Sequence, residues 1–330
     1  MIISQTPHRI SFFGGGTDYP NYYLEHGGKV LGTAIDKYCY LNVRRLPPFF
    51  EHKHRIVYSR QENVRNLDEI QHPSVRETLK HLDIQYGMSI HHDGDIPARS
   101  GMGSSSAFTV GLLQSVMALE GRYIGKDELA RKAIYVEQQL IRENVGSQDQ
   151  MFAAHGGLNR INFLPNGEMV LDPVILPPER LARFESSLLL YYTGISRLAS
   201  EVVAEQIRNT PRNLAALGHM KEMVDEAFRI LVEPQRQLDD FGRLLNQTWE
   251  LKRSLSSCIT NGEIDQAYEL GRRHGALGGK LLGAGGGGFL LFFVPPEQQA
   301  GFKAAMNRLL CIPIRFDFEG SKVIVYQPNC

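Results

Sequence analysis

At residues 97–107 the chain reads Pro97-Ala98-Arg99-Ser100-Gly101-Met102-Gly103-Ser104-Ser105-Ser106-Ala107 and passes without a break into the apolar helical pattern Val110, Leu112, Leu113, Val116, Met117 and Leu119. A glycine loop here opens a helix. Glycine lacks Cβ, so Gly101 and Gly103 can take φ > 0 and bring backbone N–H groups close to a ligand, while the first helical turn offers free donors and a partial positive charge. That combination is a phosphate cradle. Its three consecutive hydroxyls add donors for phosphate oxygens and an oxygen ligand for Mg²⁺, which makes ATP the expected guest. Serine and glycine are also ordinary cap and turn residues, so a purely structural helix start stays open. No Gly-Lys-Ser/Thr follows the loop and the dinucleotide fingerprint is absent, so the pattern implies a different nucleotide fold.

Two further glycine clusters lie far away in sequence, Gly14-Gly15-Gly16 and Gly283-Ala284-Gly285-Gly286-Gly287-Gly288. Three such loops call for a common reason. A chain of 330 residues with 42% apolar residues suits two packed cores, and a boundary near Pro177-Pro178 divides it into 1–178 and 179–330. Thirty-six basic and thirty-six acidic side chains balance, which argues against nucleic acid or an anionic membrane as partner. No apolar run approaches a membrane-spanning length, and no signal peptide is expected at the N-terminus. Cys39, Cys258, Cys311 and Cys330 have neither zinc spacing nor a disulfide framework, so reduced thiols of a cytoplasmic protein are expected.

Strand patterns at 2–13, 29–35, 38–45 and 55–59, a helix near 74–86 and a strand near 88–93 make the first half α+β. Helices follow at 104–120 and 126–143, a short one starts near 149, and strands return at 158–163, 168–174 and 186–192. Residues 199–276 are helical, and the end reads strand 289–294, helix 297–309 and strands 311–318 and 322–327.

In the 126–143 helix the apolar stripe runs Ala130, Ala133, Ile134, Leu140 and Ile141, and Glu137 falls in its gap. A carboxylate therefore faces the core. It needs a cation or several donors, which a metal ion beside the serine loop or a distant arginine would supply. Twelve residues on stands Asp149, either a helix N-cap or a general base for phosphoryl transfer. Arg9 in the first strand would hold such an acid ionised, or is a surface strand residue.

The three clusters and two acids together resemble the GHMP kinases, the group that includes galactokinase, homoserine kinase and mevalonate kinase. The resemblance is carried by Pro7-His8-Arg9-Ile10-Ser11-Phe12-Phe13-Gly14-Gly15-Gly16-Thr17-Asp18-Tyr19, by the serine loop, and by Lys280-Leu281-Leu282-Gly283 through Phe289, all in family order. It implies an α+β fold of two domains, an N-terminal ribosomal-protein-like α/β domain and a C-terminal ferredoxin-like domain with extra helices. It implies further that Arg99 and Gly101-Met102-Gly103-Ser104-Ser105-Ser106 wrap the ATP phosphates, that Ser105 and Glu137 hold Mg²⁺ with Ser104 or Ser106 as alternatives, and that Asp149 is the base with Arg9 its partner. Gly15, Gly16, Thr17, Asp18, Gly285, Gly286 and Arg197 would contact the acceptor.

Galactokinases carry Gly-Glu-His-Thr-Asp where this chain has Gly14-Gly15-Gly16-Thr17-Asp18, so the sugar pocket differs. This version, with Glu25-His26-Gly27-Gly28-Lys29, resembles the branch that phosphorylates the anomeric hydroxyl of D-glycero-α-D-manno-heptose 7-phosphate for bacterial surface polysaccharides. A kinase of an unphosphorylated sugar such as fucose or mannose, and a sugar sensor without catalysis, are the competing readings. Lys53, Arg55, Arg99 and Arg197 are the cations considered for the substrate phosphate. The expected partners are thus ATP and a small sugar phosphate, with no nucleic acid and no membrane, and a homodimer is allowed.

Overall fold

The computed structural model describes residues 1–98, 100–195, 212–256 and 258–328. Two long strands lead it, β1 (Ile2–Phe13) and β2 (Gly28–Arg45), joined through the short helix α1 (Pro20–His26). They pair antiparallel, and between Pro7 and His8 the register shifts so that Asp36 and Lys37 of β2 have no partner in β1. Proline brings no N–H to a ladder, which places the bulge there. The two strands expected at 29–35 and 38–45 are therefore one strand, interrupted in its pairing rather than in its course.

The larger sheet runs β12–β1–β2–β5–β3–β4, with β3 (His54–Val57), β4 (Gln61–Val64), β5 (Met88–Gly94) and β12 (Lys322–Tyr326). The first half of β2 pairs instead with β6 (Leu158–Phe163), which carries β7 (Met169–Pro173) at its outer side. β3 lies parallel to β5, and the crossover that parallel pairing requires contains α2 (Pro73–His81). Helices α3 (Ser104–Leu119) and α5 (Gln148–His155) pack on β1 and β2, and α4 (Lys126–Tyr135) packs against both helices. α3 is buried on nearly every side, as its unbroken apolar run demands. α4 does not continue regularly to 143: Val136–Ile141 form a widened π-type turn, closed by Arg142 at φ 62°.

The second sheet is antiparallel, in the order β11 (Leu310–Ile312), β8 (Leu188–Tyr192), β10 (Phe289–Phe293), β9 (Gly278–Leu281). Around it lie α6 (Pro178–Ser186), which the Pro177-Pro178 step initiates, then α7 (Leu214–Val232), α8 (Asp239–Ser254), α9 (Gly262–Arg273) and α10 (Gln299–Ala305). The third glycine cluster joins β9 to β10, a connection from strand to strand. β11 stops at Pro313 instead of running on to 318, and beyond it Phe316 makes one bridge to Ile35.

β1 belongs to both cores. Ile2 lies in the cluster beneath α3 and α5, whereas Ile10, Phe12 and Phe13 lie in the second cluster with Phe184, Phe241 and Phe293. The rings of Phe12 and Phe13 meet Phe241 edge-on at 5.5 and 5.0 Å. Accordingly the strand alternates buried and half-buried positions at its start and is buried throughout from Thr6 onward. β12 leaves the second unit to pair with the start of β1, so residues 322–326 complete the first sheet.

Candidate active site

The end of β1, the serine loop, the start of α5, α8 and β9 enclose a cavity of about 230 Å³. All three glycine clusters reach it, through Gly15 and Gly16, Gly101 and Gly103, and Gly283. The second and third touch directly: a Cβ on Gly283 would stand 2.4 Å from the Cα of Gly101, so neither position accepts a side chain. Gly103 caps α3 at φ 74°, and a Cβ there would come within 3.2 Å of the Asp149 carboxylate.

Asp149 lies in the first turn of α5, whose N-cap is Ser147, so its carboxylate is not the cap. Arg9 grips it instead, donating from Nε to Oδ1 at 2.7 Å and from Nη2 to Oδ2 at 2.8 Å. This bidentate pair is the strong form of a charged hydrogen bond. The third arm of the guanidinium, Nη1, donates to the Gly101 carbonyl at 2.7 Å, and the Arg9 amide donates to the Met102 carbonyl. Arg9 is thus a buried strut between Asp149 and the serine loop, not a surface strand residue.

Asp18 is buried beside them. Its Oδ1 accepts from the Gly16 amide at 3.0 Å and its Oδ2 from Gln148 Nε2 at 2.9 Å. Burial and the neighbouring Asp149 charge raise its carboxyl above the ordinary range. Thr17 does not line the cavity; its hydroxyl shares its one proton between the carbonyls of Gly14 and Lys29, each at 2.8 Å, accepts from the Lys29 amide and so locks the first loop. Gly285 and Gly286 likewise lie behind the wall, packed on Ile259, and the third loop presents Gly283 and Ala284. Met102 points into the second core. Arg99 and Arg197 lie outside the described residues. Lys53 and Arg55 sit by the far edge of the first sheet, where Arg55 stacks over Phe50, and do not line the cavity.

Ser104 and Ser105 face the cavity, Ser105 exposed, whereas Ser106 is buried and donates to Glu137 Oε2 at 2.8 Å. The hydroxyl set against Glu137 is thus that of Ser106, which faces the core from α3 while Ser105 faces out. Gln150 also donates to Oε2, and Oε1 has no partner although Glu137 is fully buried. Burial pushes its carboxyl up to about 7, against the hydrogen bonds from Ser106 and Gln150. A buried carboxylate with an orphaned oxygen beside a helix N-terminus suits a divalent ion that takes its other ligands from water and phosphate. No group of three or more His, Cys, Asp or Glu that could hold a metal occurs among the described residues, so Glu137 would be its main protein ligand.

Sequence reasoning missed two cations. Lys252 of α8 and Lys280 of β9 both line the cavity and are buried, at 7% and 3% exposure. Lys252 donates to the Gly283 carbonyl, and Lys280 to the Phe12 carbonyl at 2.8 Å. Burial and the neighbouring Arg9 charge lower both ammonium groups, Lys252 to about 8, and Asp18 opposes the shift. The signal for Lys252 was present, since it interrupts the buried stripe Phe241, Leu245 and Trp249 of α8.

A carboxylate beside a glycine-lined helix N-terminus combines an anion-binding helix end with an acid, two parts that phosphoryl transfer can use. The N-terminal GHMP kinase domain model matches residues 73–157 and the C-terminal one residues 224–310. The chain belongs to the GHMP kinase family. It is 27% identical over 296 residues to the D-glycero-alpha-D-manno-heptose 7-phosphate kinase of Campylobacter jejuni, covering 86% of each chain. It is 28% identical over 326 residues to the L-fucokinase/L-fucose-1-P guanylyltransferase of Bacteroides fragilis, covering 86% of this chain and 34% of that one. The fold matches the crystal structure of a D-glycero-D-manno-heptose 1-phosphate kinase from Bacteroides thetaiotaomicron with a TM-score of 0.80 at 22% identity, covering 99% of this chain and all of that one. No helix among the described residues is long and apolar enough to cross a membrane.

Proposed function

We propose that this protein is an ATP-dependent sugar 1-kinase that transfers the γ-phosphoryl group to the anomeric hydroxyl of D-glycero-α-D-manno-heptose 7-phosphate, giving the 1,7-bisphosphate. The observation that carries the kinase reading is the Arg9–Asp149 clamp standing against Gly103 at the start of α3. The heptose assignment is supported by the likeness to the Campylobacter jejuni enzyme across 86% of both chains and by Gly15 and Gly16 in the first loop, which leave room beside Asp18.

The serine loop receives the triphosphate on the amides at the start of α3 and on the Ser104 and Ser105 hydroxyls. Asp149 accepts the proton of the anomeric hydroxyl as that oxygen bonds to the γ-phosphorus and the bond to ADP breaks. Arg9 holds the carboxylate in place through its two parallel hydrogen bonds. Asp18, fixed by Gly16 and Gln148, accepts hydrogen bonds from the acceptor's other hydroxyls. Glu137, with a serine-loop hydroxyl, would hold Mg²⁺, which when bound neutralises charge on the phosphate oxygens.

The test is ADP release with Mg²⁺ across heptose 7-phosphate, mannose 6-phosphate, fucose, mannose and galactose. Turnover on heptose 7-phosphate well above all others is expected; turnover confined to an unphosphorylated sugar overturns the substrate, and none on any sugar overturns the kinase reading.

A further inference from the structure

Among the described residues, Lys252 and Lys280 are the charged groups of the cavity for which the reaction above has no use. An ammonium withdrawn from water is costly unless a charge or several acceptors compensate it. Here each is given one backbone carbonyl among the described residues, Gly283 for Lys252 and Phe12 for Lys280, which leaves two of its three donors for a ligand. Among the described residues neither forms an ion pair with a carboxylate. The two acids of the cavity are already engaged, Asp149 by Arg9 and Asp18 by Gly16 and Gln148.

Among the described residues the lining side chains therefore carry three basic groups, Arg9, Lys252 and Lys280, against two carboxyl groups, Asp18 and Asp149. A surplus of buried positive charge built from two separate elements, α8 and β9, is a site prepared for an anion. Two anions enter such a cavity. The triphosphate already has its own cradle at the start of α3, made of amides and hydroxyls. The lysines come from the other unit of the fold, on strand β9 and helix α8, and the carbonyl that holds Lys280 belongs to the next-to-last residue of the strand that leads into the first glycine loop and Asp18. They belong with the acceptor.

We propose that Lys252 and Lys280 form the subsite for a phosphate monoester on the sugar, and so select a phosphorylated acceptor over its unphosphorylated counterpart. This rests on the sugar-kinase reading and supplies the phosphate contacts that Lys53 and Arg55, distant from the cavity, do not. The carbonyls of Gly283 and Phe12 orient the two ammonium groups before substrate arrives, which lowers the cost of ordering them on binding.

The experiment compares kcat/KM for mannose 6-phosphate and for mannose, and for heptose 7-phosphate and its dephosphorylated form, in the wild type and in Lys252→Met and Lys280→Met. The expected result is a wild-type preference for the phosphorylated member of a pair, and a fall of roughly tenfold or more in that preference in each variant, as loss of one charged contact to a phosphate predicts. The KM for ATP stays within about twofold. Equal losses on both members of a pair, or a raised KM for ATP with the preference intact, overturns the subsite. A wild type that uses only unphosphorylated sugars also overturns it and leaves the kinase standing; no ADP release with any sugar removes the kinase reading itself. Should neither variant fold, inhibition of the wild type by inorganic phosphate decides: competition with the sugar and not with ATP supports the subsite, and competition with ATP alone overturns it.

Discussion

Arg9 and Asp149 stand 140 residues apart in sequence and meet through two parallel hydrogen bonds of 2.7 and 2.8 Å, with the remaining arm of the arginine on the Gly101 carbonyl. One side chain thereby ties the acid of α5 to the loop that opens α3. Asp149→Asn keeps the shape and loses the negative charge. We expect kcat to fall by roughly 10²–10⁴-fold, the usual worth of a positioned base, with the Kd for ATP within about twofold. Steady-state kinetics with equilibrium nucleotide binding checks this; unchanged turnover removes Asp149 from the reaction.

Arg9→Met acts through the same unit. Its effect on kcat and that of Asp149→Asn should be strongly non-additive, the double variant being little worse than the poorer single one. Additive losses in the double-mutant cycle would show that the two side chains work independently.

Glu137→Gln preserves the bonds from Ser106 and Gln150 in shape but removes the anion. The Mg²⁺ concentration for half-maximal activity should rise by roughly tenfold or more, the scale expected when a metal loses a carboxylate or its support. A titration of activity against Mg²⁺ reads it directly, and an unmoved midpoint argues that Glu137 has no part in holding the ion.

Gly103→Ala places a methyl group at φ 74° and within 3.2 Å of the Asp149 carboxylate. Strain at a left-handed position costs roughly 1–2 kcal/mol, so the variant should unfold at lower denaturant and also lose turnover. Chemical denaturation and kinetics together test this, since a purely structural cap would lower stability and leave kcat alone.

Lys252 supplies a pH signature. Its ammonium is lowered to about 8 by burial and by Arg9, with Lys280 also close and Asp18 opposing. The unfolded chain therefore binds more protons between about pH 8 and the ordinary lysine value near 10.4, and the destabilising cost of the buried charge is present below 8 and fades as pH rises through that window. Lys252→Met should raise the apo-protein Tm at pH 7 and show a smaller advantage at pH 9.5. An advantage that is equal at both values, measured by calorimetry, contradicts it.

What could be read from the sequence was what periodicity and glycine chemistry encode. The stripe of α4 put Glu137 inward, and the structure buries it fully although the helix widens into a π-type turn at that point. Spacing could not choose among Ser104, Ser105 and Ser106, because the choice depends on how α3 is rotated against α4, and that rotation sets Ser106 on Glu137. The break between 35 and 38 was visible, but a bulge and a strand end look alike when the partner strand is unknown. Lys252 and Lys280 went unnoticed as cavity residues since no local pattern brings α8 and β9 to the end of β1. Thr17 is the opposite case, a residue in a family motif whose hydroxyl the backbone takes up.

β1 runs from one hydrophobic core into the other and takes β12 along its outer side. Such a strand makes the two halves of the chain poor candidates for separate life. A fragment ending at residue 178 would leave Phe12 and Phe13 without Phe184, Phe241 and Phe293, and would strip the edge of its first sheet bare, an invitation to self-association. The remainder would lose the aromatic wall on which its own core closes. Heating should accordingly melt the chain in one transition, and rearrangement of the chain by permutation or recombination would have to spare the strand that carries Arg9.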